Sequence, residues 1–147
     1  MTTNAMSGHG TLLQRAPAAT PGVFTTIGEL GDITPPALTR NEFDATTQQE
    51  DIDSYVLGVL RRGAFSVSVN FIPTNATHDH LTGLQQALID NEMCGWKFIF
   101  PDVSNTTWVA SGQVQQFVPH APVDGKLSAD VTIRFSGQMW IGATLVG

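Results

Sequence analysis

Leu127, Ala129, Val131, Ile133 and Phe135 alternate without a break against Ser128, Asp130, Thr132, Arg134 and Ser136. Successive side chains of a strand point to opposite faces, so the segment from 126 to about 138 is expected to be one long strand with an apolar and a polar side. Phe65, Val67, Val69 and Phe71 alternate in the same way with Ser66, Ser68 and Asn70, which predicts a second strand over 63–72, closed by Pro73. Two such strands imply an antiparallel sheet that covers a core on one side and shows polar groups on the other.

Weaker patterns fill the rest. A strand is expected over 23–30, a breaker cluster over 31–36 with Pro35 and Pro36, and an extended stretch over 39–46 anchored by Phe43. Residues 47–62 are ambiguous. Ile52, Val56, Val59 and Leu60 have partial helical spacing, and Gly58 weakens a helix. Thr77 is placed to cap a helix beginning at His78 and ending near Gly95, with Asp79 in its first turn and Leu81, Leu84 and Leu88 as its apolar stripe. Short strands follow over 96–100 and 107–118, and Asp124-Gly125 signals a hairpin turn into the final strand. The order predicts an α+β, mainly β fold: an antiparallel β-sandwich or open barrel with one flanking helix. Residues 1–22, rich in Thr, Ala, Gly and Pro, read as a flexible arm, and 23–147 as a single domain with a long loop over 31–62.

Composition narrows the function classes. Charged residues make up 14% of the 147, against a usual share of about 25%. Such a surface is either neutral and hydroxyl-rich or partly covered by other subunits. The net charge of −6 is regional: Glu29, Asp32, Glu42, Asp44, Glu50, Asp51 and Asp53 stand against Arg40 alone, seven minus one, and the rest of the chain balances. No basic face suited to tight nucleic-acid binding is visible. No apolar stretch reaches the length of a membrane span, and no basic start leads into an apolar run, so neither membrane insertion nor a secretory signal is expected. Asn75-Ala76-Thr77 and Asn105-Thr106-Thr107 then match the glycosylation pattern by chance.

Candidate chemistry is thin. His78 and His80, two apart on a helix, would point to different sides and not converge on one metal ion, so they read as a polar helix start. Cys94, the one cysteine, reads as a buried thiol. Trp96 and Trp108 fit their strands as core residues, while Trp140 is left for an interface. No phosphate-cradling loop, nucleophile elbow or EF-hand spacing occurs. No catalytic residues, metal ligands or cofactors are expected, and the chain is read as non-enzymatic.

Several pieces in order give a resemblance. Gly28-Glu29-Leu30 leads through the long loop to Thr39-Arg40 and Phe43-Asp44-Ala45-Thr46. Tyr55-Val56-Leu57-Gly58, Gly63, the 65–71 strand, the helix at 81–88, Ala129-Asp130-Val131-Thr132 and Gly137 follow. Over roughly 25–142 the chain resembles the tail tube protein, or major tail protein, of phages with long non-contractile tails. Arg61-Arg62 departs from the more acidic stretch expected there.

The resemblance implies a tail-tube-like sandwich and a structural virion protein. Its copies would form hexameric rings, stacked into a tube that conducts DNA. Implied partners are further copies of itself, a tape-measure protein, tail terminator and tail-tip proteins, and DNA in transient, non-specific passage. The location implied is the virion tail tube, reached from the host cytoplasm during assembly. Contacts between rings or subunits are expected from Arg40, Asp44, Glu50, Asp51, Asp53, Arg61 and Arg62. A polar lumen wall is expected from Ser128, Asp130, Thr132 and Arg134. Two alternatives stay open: a tube protein of a contractile injection or secretion system, and a monomeric carbohydrate-binding β-sandwich using Trp140.

Overall fold

The computed structural model describes residues 5–18, 20–34, 37–49, 51–142 and 144–145. Pro35, Pro36 and Glu50 lie outside the described residues. Among the described residues, ten strands and one short helix run in the order β1 (Leu12–Ala16), β2 (Thr25–Thr26), β3 (Leu30–Thr34), β4 (Thr39–Asp44), β5 (Tyr55–Arg61), β6 (Ala64–Asn70), α1 (Leu84–Ile89), β7 (Cys94–Ile99), β8 (Thr107–His120), β9 (Ser128–Ile141) and β10 (Thr144–Leu145).

The main sheet is antiparallel in the order β2-β1-β7-β8-β9-β6-β3, with β10 added to β9, while β4 and β5 form a separate two-stranded sheet. The 14-residue strands β8 and β9 are its spine. Near Gly112 the ladder is interrupted twice, between Ala110 and Gly112 and between Val114 and Gln116. Bulges bend a ladder and increase its twist. A Cβ on Gly112 would come within 2.7 Å of the Arg134 carbonyl oxygen, so only glycine allows the close approach at this bend. Beyond it β7 no longer pairs with β8, and β6 takes over pairing with β9 at Arg134.

The bent sheet closes on itself over one core. Phe65 of β6 meets Phe98 of β7 edge to face at 4.7 Å and Trp96 at 5.9 Å, although β8 and β9 lie between those strands in the sheet. Each such pair contributes about 0.5–1.5 kcal/mol beyond the area it buries. Leu13, Val67, Val69, Leu84, Ala129, Val131, Ile133 and Met139 complete the packing. The expected class, an antiparallel sandwich or open barrel with one flanking helix, is the architecture found. Trp96 is fully buried, Trp108 packs against the core, and Cys94 is buried.

Several expectations need correction. The flexible arm over 1–22 gives way to β1 at Leu12–Ala16, paired along β7 and placing Leu13 in the core. The strand over 23–30 shrinks to the two residues of β2, and the breaker region begins later, since Leu30–Thr34 pairs with β6 as β3. The loop over 31–62 is not a loop: it holds β3, and its outer part is the β4–β5 hairpin. β8 continues through Pro119 to His120, where it borders no β7 strand and an edge tolerates proline.

The helix is much shorter than the sequence suggests. Residues 78–83 form turns, and Gly83 occupies the N-cap without a side-chain bond. The Thr77 hydroxyl bonds Asn75 and the Gly28 N–H instead of the helix, its carbonyl alone accepting from the Leu84 N–H. Asp79 Oδ1 accepts from the Thr82 N–H at 2.8 Å and from the Leu81 N–H at 3.3 Å. These donors, led by Thr82, hold its carboxyl below the usual value of 3.8. A Cβ on Gly83 would lie 2.6 Å from the His78 backbone, so the turn folds tightly beneath the helix start. Leu81 is consequently 70% exposed, and only Leu84 and Leu88 of the expected stripe face the core.

Candidate functional site

The four candidate polar positions of β9 lie on one face. Ser128, Asp130, Thr132 and Arg134 alternate with fully buried Ala129, Val131 and Ile133. Register extends that face across both neighbours. Asn70, Ser68 and Ser66 of β6 stand opposite Ser128, Asp130 and Thr132. On the other side His120, Val118 and Gln116 of β8 stand opposite the same three, and Gln113 opposite Arg134. The His120 ring nitrogen Nε2 lies 3.0 Å from Asp130 Oδ2, with both side chains more than half exposed. Hydroxyl and amide groups dominate this surface, with Arg134 and Asp130 of opposite sign upon it.

The other candidates sit on the β4–β5 hairpin. Every residue of β4 is exposed, as are most of β5. Arg40 and Arg61 lie at its base, where Thr39 pairs with Arg61 and Arg40 with Leu60, and Arg62 follows directly. Arg40 Nη1 donates to the Gly58 carbonyl at 2.8 Å. Asp44 closes the far end opposite Tyr55, and Asp51 and Asp53 belong to the connecting tip. Asp44 Oδ1 accepts from the Thr46 N–H at 2.9 Å, which with the Thr46 hydroxyl lowers its pKa and keeps it ionised. Among the described residues, Asp44, Asp51 and Asp53 therefore lie at the end of the hairpin away from Arg40 and Arg61. Four strand steps separate Arg40 from Asp44 by about 13 Å, beyond the screening length of about 8 Å in physiological salt. Glu50 lies outside the described residues.

The hairpin also exposes apolar surface on both faces. Phe43, Tyr55, Val56, Leu57 and Val59 are each 50–73% exposed, and Ile52 at the tip is 81% exposed. The Phe43 ring lies over Gly58, where a Cβ would come within 2.9 Å of it. An isolated two-stranded hairpin is marginal in water, and one carrying this much apolar surface suits cover by another molecule. Trp140, paired with Val109 and Leu145, is 40% exposed at the rim of the polar face.

Two polar side chains that read as surface groups in the sequence, His78 as a helix start and Arg15 as a cation for a neighbouring ring, are buried and carry structural weight. His78 is fully buried instead of starting a helix. Its Nδ1 accepts from the Ile72 N–H at 3.3 Å, so Nε2 carries the proton and donates to the Gly28 carbonyl at 2.8 Å. Arg15 is 6% exposed on the inner face of β1, where its guanidinium donates to Cys94 Sγ, the Thr82 carbonyl, Gln86 Oε1 and Glu92 Oε2 at 3.1–3.2 Å. Burial pushes the Cys94 thiol up, with Arg15 opposing. Among the described residues no group of three or more His, Cys, Asp or Glu could hold a metal ion, and no helix is long and apolar enough to cross a membrane.

No protein-family model matches the chain, and no curated protein sequence does either. Solved structures do. A chain from the tail of an empty gene transfer agent particle, refined helically with C6 symmetry, is 19% identical with a TM-score of 0.76, covering 95% of this chain and 100% of that one. The SPP1 tail tube is 9% identical with a TM-score of 0.73, over 94% of this chain and 80% of that one. A chain from the sheath/tube terminator of an extracellular contractile injection system, in its extended state, is 8% identical with a TM-score of 0.71, over 95% and 99%. The likeness spans nearly the whole chain, and the molecule has the tail-tube fold.

Proposed function

We propose that this chain is the structural subunit of a phage-type tail tube, in which six copies close a ring, rings stack head to tail, and DNA passes through the bore. The observation that carries the reading is the β4–β5 hairpin, whose apolar residues on both faces are left open by the molecule's own core. A neighbouring copy is the natural cover, because identical subunits related by rotation repeat one contact until the ring closes. The C6 symmetry of the gene transfer agent tail supports six copies.

Ring closure also completes sheet edges. Residues 113–120 of β8 have no strand partner on the side away from β9 among the described residues, and β3 borders only β6. Edges of this kind invite pairing with another chain, and joining them between subunits removes the liability. The face bearing Ser128, Asp130, Thr132 and Arg134 then becomes the wall of the bore. Hydroxyls and balanced charges let a polyanion slide, whereas a cationic wall would grip phosphate. At the joint between rings, the acidic tip with Asp44, Asp51, Asp53 and Glu50 meets Arg40, Arg61 or Arg62 of the next ring. A tape-measure protein within the tube and terminator and tip proteins at its ends are the remaining partners.

The likeness to the contractile injection system at a TM-score of 0.71 favours one second reading, a tube enclosed by a contractile sheath. Electron microscopy of the purified protein, alone and seeded with its tail-tip complex, tests both. Smooth hollow rods with six-fold rings are expected. Rods that recruit a sheath from the native particle favour the second reading, and monomers that never form rings, even when seeded, overturn both.

A further inference from the structure

β1 lies one strand in from the edge of the main sheet, covered on its outer side only by the two residues of β2, and has an unusual inner face. Toward the core it presents Leu13 and, two residues on, the buried arginine Arg15, while Ala16 is buried on the opposite face. Five register pairs join it to β7, two join it to β2, and the Ile27 N–H donates to the Leu13 carbonyl at 3.0 Å. The chain then leaves through a turn containing Pro17, Pro21 and Gly22, the last at φ +87°. Glu92 is the pivot of the attachment. Its Oε2 pairs with Arg15 at 3.2 Å, and its Oε1 accepts from the Ala18 N–H at 2.6 Å, so one carboxylate holds both the strand and the turn after it. Gln86 of α1 joins the same cluster, its Nε2 lying 2.8 Å from Glu92 Oε2.

We infer that β1 and its following turn form a strap that lifts off β7 and α1 as a unit while the rest of the sheet stays folded, with the Arg15–Glu92 pair as its clasp. The energetics follow from where the charges go. A closed strap keeps two ions out of water, which offsets much of their attraction. Opening returns both to solvent together, so it recovers hydration and gives up chiefly the burial of Leu13 and Ala16 and a few ladder bonds. Substituting one member of the pair is different, because the other stays buried without its counter-charge and the closed state alone is penalised.

Cys94 supplies a native probe. Its sulfur lies 3.2 Å from Arg15 Nε and is 1% exposed, so the strap must move before a thiol reagent reaches it. The raised thiol pKa further suppresses reaction in the closed state. The inference rests on this cluster alone and is independent of the tube reading.

The test is the rate of Cys94 modification by a disulfide reagent in the intact monomer, across urea concentrations well below global unfolding. In the wild-type chain the rate should depend on urea much less steeply than global unfolding does, because a strap exposes little surface. Glu92→Gln and Leu13→Ala should each accelerate it at least tenfold. Ile133→Val, in the centre of β9, should lower the global midpoint without changing the rate. Arg15→Met serves as a second clasp variant if Glu92→Gln folds poorly. A urea slope equal to that of global unfolding, acceleration by Ile133→Val matching that of Glu92→Gln, or rates untouched by every strap variant would overturn the inference.

Discussion

His78 occupies a place in the core that hydropathy reserves for leucine. The imidazole ties the Ile72 N–H to the Gly28 carbonyl, and so fixes where β6 ends against the approach to β3. Leaving either backbone group unpaired in the interior costs about 1–3 kcal/mol. His78→Phe fills the same space without the hydrogen bonds, so it should lose about 2 kcal/mol or more by urea denaturation. His78→Ala should lose still more, because it adds a cavity. A Phe variant as stable as the wild-type chain would show that packing alone sets this position. The sequence hides such residues for a physical reason. Hydrophobic periodicity registers a buried apolar side chain, whereas a buried polar one is defined by partners distant in sequence, here the Gly28 carbonyl 50 residues from His78 and the Cys94 sulfur 79 residues from Arg15. Cys94 and Trp96 posed no such difficulty, because their apolar burial is written locally.

Among the elements, β6 and β9 were legible because each has one wet and one dry face, which prints an alternation into the residues. β5 has no dry face within its own chain, so Val56, Leu57 and Val59 run without a period and Gly58 confuses the pattern further. β1 failed for the opposite reason, its inner face being interrupted by Arg15. The helix was overestimated because the Leu81, Leu84 and Leu88 spacing says nothing of Gly83, whose tight turn carries Leu81 out to solvent. The exposed hairpin makes a separation of effects possible. Val56→Ser with Val59→Ser touches no core side chain and should change monomer stability by about 0.5 kcal/mol or less. On the tube reading the same variant should fail to form rods under the microscope. Normal rods would remove the hairpin from the assembly contacts.

For the whole molecule, the regional acidity acquires a direction. Asp44, Asp51 and Asp53 gather at the hairpin tip and Arg40 and Arg61 at its base, so on the tube reading stacked copies would present opposite signs to one another. Asp51→Lys with Asp53→Lys should shorten or abolish rods in low salt while leaving the monomer folded, as measured by rod length and sedimentation. The wild-type joint should weaken as salt rises, since exposed charge pairs are screened. Rods of unchanged length and salt response would place the acidic tip away from the joint. The polar wall formed with Ser128, Asp130, Thr132 and Arg134 was legible as a face, since strand period alone groups those residues. The place around a bore that the tube reading gives it would depend on other copies, which no pattern within one chain records.

The bend at Gly112 has a consequence for how the molecule comes apart. β8 and β9 each belong to both halves of the folded sheet. Neither half owns a complete set of strands, so neither can melt and leave the other standing. A main sheet built in this way carries no line of division through its middle, and apart from its first strand and the outlying β4–β5 hairpin the subunit is kept or lost entire.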